Sequence, residues 1–262
     1  MNSLLLSILA NLSAEFFLQS EKTAAGKGNL KLTEILWHGV TVFGAILFFL
    51  HGYQWLTLVG YAAFITVAHL FIDLLESFLN RIKNRSLNLF IFIISQVLHI
   101  VVIVMLWSWF NLRANPEVGL FYERILRVNT LTSFTQISNS AVKLIPERLL
   151  IGAIVYIYIC FGGSILIDKF LFWLQKKEEV FGDKQDRTGK WIGILERVFV
   201  LTLMINNKLE SVAFILTAKS IARFSELSNR DFAEYYLIGT LASTTLAICG
   251  GLLLNYLLIV VR

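Results

Sequence analysis

Long apolar runs recur through this sequence and leave few folds open to it. One covers about residues 87–112 and another about residues 148–175, each with few charged residues. A helix needs roughly 20 mostly apolar residues to cross a bilayer. Charged residues make up only 16% of the chain, whereas soluble domains have about 25%. The runs therefore predict transmembrane helices, and the strand alternation that is typical of a β-barrel is missing.

The pattern of apolar segments predicts an all-α fold, a polytopic transmembrane helical bundle of about seven or eight membrane segments. The first helix ends near Gln19, and a polar loop is expected at residues 20–31 before the next apolar run. The expected organisation is a four-helix membrane half at 1–112, an interfacial helix and loop at 113–147, a long membrane helix at 148–175, a charged cytoplasmic linker at 176–190 and a C-terminal membrane half at 191–262.

Basic residues between the apolar segments predict the orientation of the chain. Short loops rich in Lys and Arg stay in the cytoplasm. Three basic groups fall at alternate turns, as a single orientation requires, and we expect all three to be cytoplasmic: Lys22, Lys27 and Lys31; Arg81, Lys83 and Arg85; and Lys176, Lys177, Lys184, Arg187 and Lys190. The expected location is the inner (plasma) membrane of a bacterium, with several passes.

A polar stripe interrupts the apolar first helix. Asn11, Glu15 and Gln19 recur at every fourth position and so lie on one helical face. Polar and ionisable side chains inside a membrane span are costly, and they often mark a functional site. The stripe is therefore the first candidate for such a site.

Two later helices carry residues that complement this stripe. His38 lies within two turns of the start of its helix, and Asp73 lies about two turns from the end of its own helix, four residues after His69. With a rise of about 1.5 Å per residue, these side chains and Glu15 are expected within roughly 10 Å of the same membrane interface. The sequence therefore predicts one cluster assembled from three helices.

Imidazoles and carboxylates in one cluster suit a divalent metal such as Zn, Mn or Fe. The candidate metal ligands are Glu15, His38, His69 and Asp73, with Asn11 and Gln19 in support. Two other interpretations stay open from the residues alone. The cluster can be a set of structural polar contacts that holds the helices together, or it can be a proton or small-ligand site.

A second group of charges lies in the C-terminal half. Its members are Glu196, Arg197, Lys219, Arg223 and Glu234, all expected toward the cytoplasmic leaflet. Since an unpaired buried charge is costly, Glu196 is expected to pair with Lys219 or Arg223. The alternative to structural ion pairs is an anion site that holds a lipid headgroup.

The residues of the first cluster carry a family resemblance. The segments 11–19, 36–38 and 69–73 resemble a bacterial inner-membrane family catalogued as a domain of unknown function, with the pattern His-x3-Asp-Phe-x2-Gln, Leu-x-His and His-x3-Asp. Asn11 replaces the usual His, and Glu15 replaces the usual Asp. Glu is a conservative exchange for a metal ligand, whereas Asn is a poorer one.

The C-terminal half resembles an extension in longer members of the same family, through residues 189–197, 219–224 and 234–241. The family implies no reaction. A more distant likeness, in the placement of His and Asp on short membrane helices, is to membrane-bound metal-dependent hydrolases.

Three functional hypotheses follow from these observations. The first is a metal-dependent hydrolase-like protein in which a bound metal activates water. The second is a non-enzymatic membrane subunit or sensor with structural clusters, whose linker at 176–190 binds a cytoplasmic protein partner. The third, transport of a small ion or acid, is disfavoured because the charges crowd into one leaflet. The expected partners are the lipid bilayer and an anionic lipid headgroup, and no nucleic-acid module is present.

Overall fold

A computed structural model of the chain describes residues 2–81, 85–126, 146–174 and 187–261. These residues form eleven α-helices. In the first half they are α1 (Asn2–Leu12, continued by a π-helical turn at Ser13–Phe17), α2 (Glu21–Gly28), α3 (Leu32–Phe49), α4 (Trp55–Leu79), α5 (Arg85–Trp109) and α6 (Pro116–Leu126). In the second half they are α7 (Glu147–Ile157, continued by a π-helical turn at Tyr158–Gly162), α8 (Gly163–Leu174), α9 (Arg187–Ile205), α10 (Val212–Ala222) and α11 (Arg230–Val260).

Five helical stretches are long and apolar enough to cross a membrane: Leu32–Phe49, Trp55–Leu79, Leu87–Trp109, Glu147–Leu174 and Arg230–Val260. A sixth is added if Asn2–Phe17 and Lys22–Gly28, which meet at an angle of 93°, are counted as one broken span. The predicted multi-pass helical membrane protein is confirmed. The prediction of seven or eight segments also counts α9, which carries several charges, and α10, which has 11 residues, and that total stays a prediction.

Several polar side chains lie inside the N-terminal part of the bundle, and many large apolar ones lie outside. His69 is only 1% exposed, whereas Phe71, two residues along the same helix, is 67% exposed. Leu56 and Trp109 are exposed still further, at 89% and 85%. Apolar side chains on the outside are expected where lipid, not water, is the surrounding solvent.

The chain divides into two compact units, and the first comprises residues 1–83 and 90–154. In it, α3 packs against α1, α2 and α4. The turn between α3 and α4 is fixed by backbone hydrogen bonds, from Gln54 to the carbonyl of Arg113 (2.9 Å) and from Asn115 to that of Gly52 (2.8 Å). This bonding holds the ends of three helices together.

The expected polar loop at residues 20–31 is wrong in its main part, because residues 21–28 form α2. Ser20 is the N-cap of this helix, and its hydroxyl accepts a hydrogen bond from the backbone N–H of Thr23 (3.1 Å). A serine cap satisfies one of the free N–H groups at a helix start. The turn then closes at Leu30, whose φ is +55°. The short polar helix thus begins and ends on local signals, without any apolar pattern.

The second unit comprises residues 84–89 and 155–262. Its core forms where α9 packs against α11, around the buried side chains of Leu201 and Leu254. Gly251 allows this approach, since a Cβ there would collide with Met204 of α9. Gly250 lies against the π-helical turn at Tyr158–Gly162 instead, and a Cβ there would lie 2.6 Å from Ile159. Small residues at such positions are typical of helix pairs in membranes.

Candidate metal centre

The polar stripe of α1 faces the core of the first unit. Asn11 is 3% exposed, and the Glu15 side chain is 11% exposed. Glu15 lies on the π-helical turn, where the N–H of Leu18 bonds to the carbonyl of Ser13 (2.8 Å), five residues back. Such turns widen a helix locally and often occur at functional sites. The turn brings Glu15 beside the helices that follow.

Helices α3 and α4 supply the other three side chains of the cluster. His38 comes from α3, and His69 and Asp73 come from one face of α4. All three are at most 3% exposed. The structure therefore brings together Glu15, His38, His69 and Asp73, and one ligand atom from each lies within 4.8 Å of the other three. This group can hold a metal ion.

Five of the six separations between the donor atoms are close to those of a tetrahedral metal shell. The Nε2 atoms of His38 and His69 are 2.9 Å apart. Glu15 Oε2 lies 3.1 Å and 3.3 Å from these two nitrogens, and Asp73 Oδ2 lies 3.3 Å and 3.5 Å from them. A tetrahedron with bonds of about 2.0–2.1 Å has edges of about 3.3–3.4 Å. These five edges thus have about the length that a single bound ion needs, and all four atoms lie within 4.8 Å of one another.

The outer nitrogens of both imidazoles are engaged by amide oxygens. His69 Nδ1 lies 2.8 Å from Asn11 Oδ1, so it carries the proton and donates it. The Gln19 amide is satisfied when its nitrogen donates to the Glu15 carbonyl (3.2 Å) and its oxygen accepts from Lys27 (2.9 Å). That oxygen lies 3.5 Å from His38 Nδ1. Outer partners of this kind fix the tautomer of metal-binding histidines.

With both imidazoles neutral and protonated at Nδ1, four electron pairs would face one another. A neutral imidazole has one N–H, so protonation at Nδ1 leaves a lone pair at each Nε2. Two carboxylate oxygens join them. Buried Asp73 Oδ2 accepts no hydrogen bond of good geometry among the described residues, although Lys27 lies near it. Buried acceptors without protons repel each other, and a shared cation removes that cost.

Lys27 of α2 completes the surroundings of the cluster, and the sequence reasoning missed it. Its Nζ lies 2.8 Å from Asp73 Oδ2 and 3.3 Å from Glu15 Oε1. The Lys27 side chain is only 12% exposed. A lysine in a polar stretch is typical of a solvated loop, and Ser20 is the local signal from which the helix could have been predicted.

His99 of α5 is a second residue that the sequence did not assign to this site. Its ring lies on that of His69, with the centroids 4.2 Å apart, and its Nε2 is 3.7 Å from Asp73 Oδ1. Neither ring nitrogen of His99 makes a hydrogen bond within the described residues. His99 therefore borders the cluster without being one of its four converging donors.

The charges of the C-terminal half do not form one group. Lys219 pairs with Glu196, one of the two expected arrangements, at 2.6 Å with both side chains less than one-fifth exposed. Arg223 pairs instead with Glu226 at 3.2 Å. Glu234 pairs with Arg230 at 2.9 Å on an exposed helical turn. These contacts favour structural ion pairs over an anion site at these residues.

Arg197 is buried and is held by neutral acceptors. Its Nη2 donates to the Cys160 carbonyl (2.8 Å) and to the Ser164 hydroxyl, and its Nη1 donates to the Ser243 hydroxyl (2.9 Å). Cys160 lies in the π-helical turn between α7 and α8, where the ordinary helical hydrogen bonding changes. Arg197 therefore joins three helical segments of the second unit.

Replacing Glu196 by Gln should weaken the second unit. The change removes the charge that Lys219 faces in a partly buried position, and we expect a loss of about 1–2 kcal/mol in the free energy of unfolding. Unfolding in mixed detergent micelles would measure the loss. Glu234→Gln is the matched control, since its ion pair is exposed and worth little. Equal stability of Glu196→Gln and wild type would show that the Lys219 contact contributes nothing.

Comparison with known proteins finds one family model that covers the residues of the candidate site. Residues 3–125 match the model of a family described as a protein of unknown function, DUF3307. The match covers slightly less than half of the chain. The resemblance expected from the segments 11–19, 36–38 and 69–73 is thereby confirmed at the level of the family.

The DUF3307 region extends from the start of α1 to nearly the end of α6, and so it holds the whole candidate metal centre. The C-terminal extension expected from residues 189–241 lies outside the matched range and stays a prediction. No curated protein and no solved structure matches the chain.

Proposed function

We propose that the DUF3307 region binds one divalent transition-metal ion through Glu15, His38, His69 and Asp73. The observation that carries this proposal is the convergence of two imidazole Nε2 atoms and two carboxylate oxygens, with five separations between 2.9 and 3.5 Å. Both histidines direct their other nitrogen at an amide oxygen, which is the arrangement of a metal ligand.

The donor set suggests which ions would bind. Two nitrogens and two oxygens at tetrahedral spacing suit Zn²⁺ first, and Mn²⁺ or Fe²⁺ would also accept these ligand types. Neither cysteine contributes, since Cys160 belongs to the second unit and Cys249 lies on α11. A soft, sulfur-rich site is therefore not part of the proposal.

The four donors support metal binding more directly than hydrolysis. A catalytic zinc keeps one position open for water, whereas a structural or carrier site is closed by protein ligands. Hydrolysis would need a fifth position at the cluster. Four protein ligands leave no position for water on a tetrahedral ion. They favour the second hypothesis, a membrane subunit or sensor, in a form that binds a metal. The linker proposed to bind a cytoplasmic partner lies largely outside the described residues.

The charge distribution supports a place near the cytoplasmic leaflet of an inner membrane. The cluster lies toward the end of the first unit where α1 ends, α3 begins and α4 ends. Lys22, with a side chain that is 87% exposed, and Arg81 lie near the same ends. Exposed basic residues beside membrane helices favour the cytoplasmic side.

X-ray absorption spectroscopy of the zinc-loaded protein tests the ligand set. We expect a first shell of only nitrogen and oxygen at about 2.0–2.1 Å, with the outer-shell scattering of two imidazoles. His51→Ala, which removes an exposed histidine outside the cluster, should leave the spectrum unchanged. A sulfur scatterer, or a shell without imidazole, would contradict the proposed ligands.

Asn11→Ala should lower zinc affinity by about 10–100-fold without changing the number of ions bound at saturation. The substitution removes the oxygen that holds the His69 ring, and outer partners of metal ligands contribute on this scale. Competition with a chromogenic chelator in detergent would measure it. Asn11→Asp, which keeps an acceptor, should retain tight binding. Ser7→Ala, one turn earlier on the same face, is the control, and an unchanged affinity in Asn11→Ala would contradict the assigned role.

A further inference from the structure

Lys27 presents a cation to the same carboxylates that would hold the metal. We propose that Lys27 is an internal counter-cation that competes with the metal for Glu15 and Asp73, and that it makes the site exchangeable. This inference rests on the proposed metal site and assigns a regulatory role to a residue outside the four ligands.

The contacts place the ammonium group on the ligand oxygens themselves. Lys27 Nζ is 2.8 Å from Asp73 Oδ2, and it is 3.3 Å and 3.4 Å from the two carboxylate oxygens of Glu15. Asp73 Oδ2 and Glu15 Oε2 are also the atoms that face both imidazoles. An ion between the four donors would therefore share two oxygens with the ammonium group.

The position of Lys27 is built into the fold. Helix α2 lies so close to α3 that a Cβ at Gly26 would collide with the side chain of Glu34. The Glu34 carboxylate also accepts a hydrogen bond from the hydroxyl of Thr23 on α2 (3.4 Å). A helix fixed in this way directs Lys27 into the cluster, unlike a lysine on a solvated loop.

The charges show why this cation matters for affinity. Glu15, Asp73 and protonated Lys27 give the metal-free cluster a net charge of −1 when both imidazoles are neutral, and a divalent ion would change it to +1. Without Lys27 these values would be −2 and 0. Lys27 thus stabilises the metal-free cluster and repels the incoming ion, since like charges only a few ångströms apart interact strongly away from water.

This arrangement distinguishes an exchangeable site from a permanent one. A purely structural metal gains nothing from a fixed cation beside its ligands. A site that must release its ion, for sensing or for delivery, needs a metal-free state that is stable in the membrane. Lys27 provides that state, because it occupies both carboxylates when the metal leaves.

Zinc affinity of Lys27→Met is the direct test, measured by chelator competition on the full chain in detergent. We expect binding about tenfold tighter or more than in wild type, because the repelling charge is gone. Lys27→Arg keeps the charge and should bind like wild type, within about threefold. Lys22→Met removes an exposed charge from the same helix and should change little, since solvent and salt screen it.

The sign of the effect separates a competing cation from a structural one. Equal or weaker binding in Lys27→Met, with clear binding in wild type, would overturn this inference and leave the metal site standing. If neither protein bound Zn²⁺, Mn²⁺ or Fe²⁺, the metal site itself would be refuted, and this inference with it. Should Lys27→Met fold only with zinc present, the rate of zinc release to excess chelator decides. Release at least about tenfold slower than in wild type supports competition, and equal or faster release overturns it.

Discussion

Zinc at a hundred times its dissociation constant should stabilise the wild-type protein by about 2.7 kcal/mol and leave His69→Ala unaffected. A ligand that binds only the folded state adds free energy of this size by mass action. His69 contributes a donor and also orders Asn11, so its loss opens the shell and removes an outer contact. Thermal unfolding in detergent, with and without zinc, would measure both values.

The matched control for this prediction is His51→Ala. His51 is an exposed histidine at the turn between α3 and α4, and its loss should leave the zinc effect unchanged. Asp73→Asn is a second variant that keeps the shape of the side chain while removing its charge, and it should also lose the zinc effect. A full zinc stabilisation of His69→Ala would place the binding site elsewhere.

Arg197→Met should lower the free energy of unfolding of the C-terminal unit by about 2–4 kcal/mol. The change keeps much of the side-chain volume but removes the donor from two buried serine hydroxyls, at Ser164 and Ser243. The Cys160 carbonyl loses its bond from Arg197 and keeps the one from Ser164 (3.3 Å). Each buried polar group without a partner costs about 1–3 kcal/mol. Chemical unfolding in mixed micelles, followed by tryptophan fluorescence, would measure the change.

Arg223→Met is the control for Arg197. It removes the same residue type from the same unit, but its partner Glu226 is exposed, and such pairs contribute at most about 1 kcal/mol. Arg197→Lys should fall between wild type and Arg197→Met, because one ammonium group cannot reach acceptors on three helical segments. Equal stability of Arg197→Met and wild type would contradict the cross-linking role of Arg197.

The convergence of His38, His69 and Asp73 could be predicted because the helical rise gives the distance of each residue from the end of its helix. His38 lies near the start of α3, and His69 and Asp73 lie in the last part of α4, so the order of the segments places all three toward one end of the first unit. The spacing of Glu15 within the polar stripe indicated which face of α1 would meet them. These arguments need only the helical rise and the order of the segments.

Lys27 could not be predicted in the same way. It lies on a short helix without an apolar face, so no periodicity marks it, and a Gly-Lys-Gly segment reads as a loop. The contacts of Arg197 could not be predicted from the sequence either, because its main acceptor is a backbone carbonyl in a π-helical turn. Sequence patterns show which side chains are polar, but they do not show where a helix departs from regular geometry.

The segment count shows a limit of hydropathy arguments. The apolar residues of helix α9 predict a membrane span. However, Arg197 is buried in the second unit, and Glu196 is paired with Lys219. Packing within the unit accommodates these charges, whereas lipid would not. Length and apolar content alone therefore do not decide whether α9 crosses the membrane.

Elemental analysis of purified protein tests the central claim most directly. Wild type and His69→Ala/Asp73→Ala would be purified in detergent, incubated with Zn²⁺, Mn²⁺ or Fe²⁺, passed through a desalting column and measured for metal per chain. We expect about one ion per wild-type chain and almost none in the double variant, because two of the four donors are gone. Metal-free wild type, or equal metal in both proteins, would contradict a metal site at Glu15, His38, His69 and Asp73.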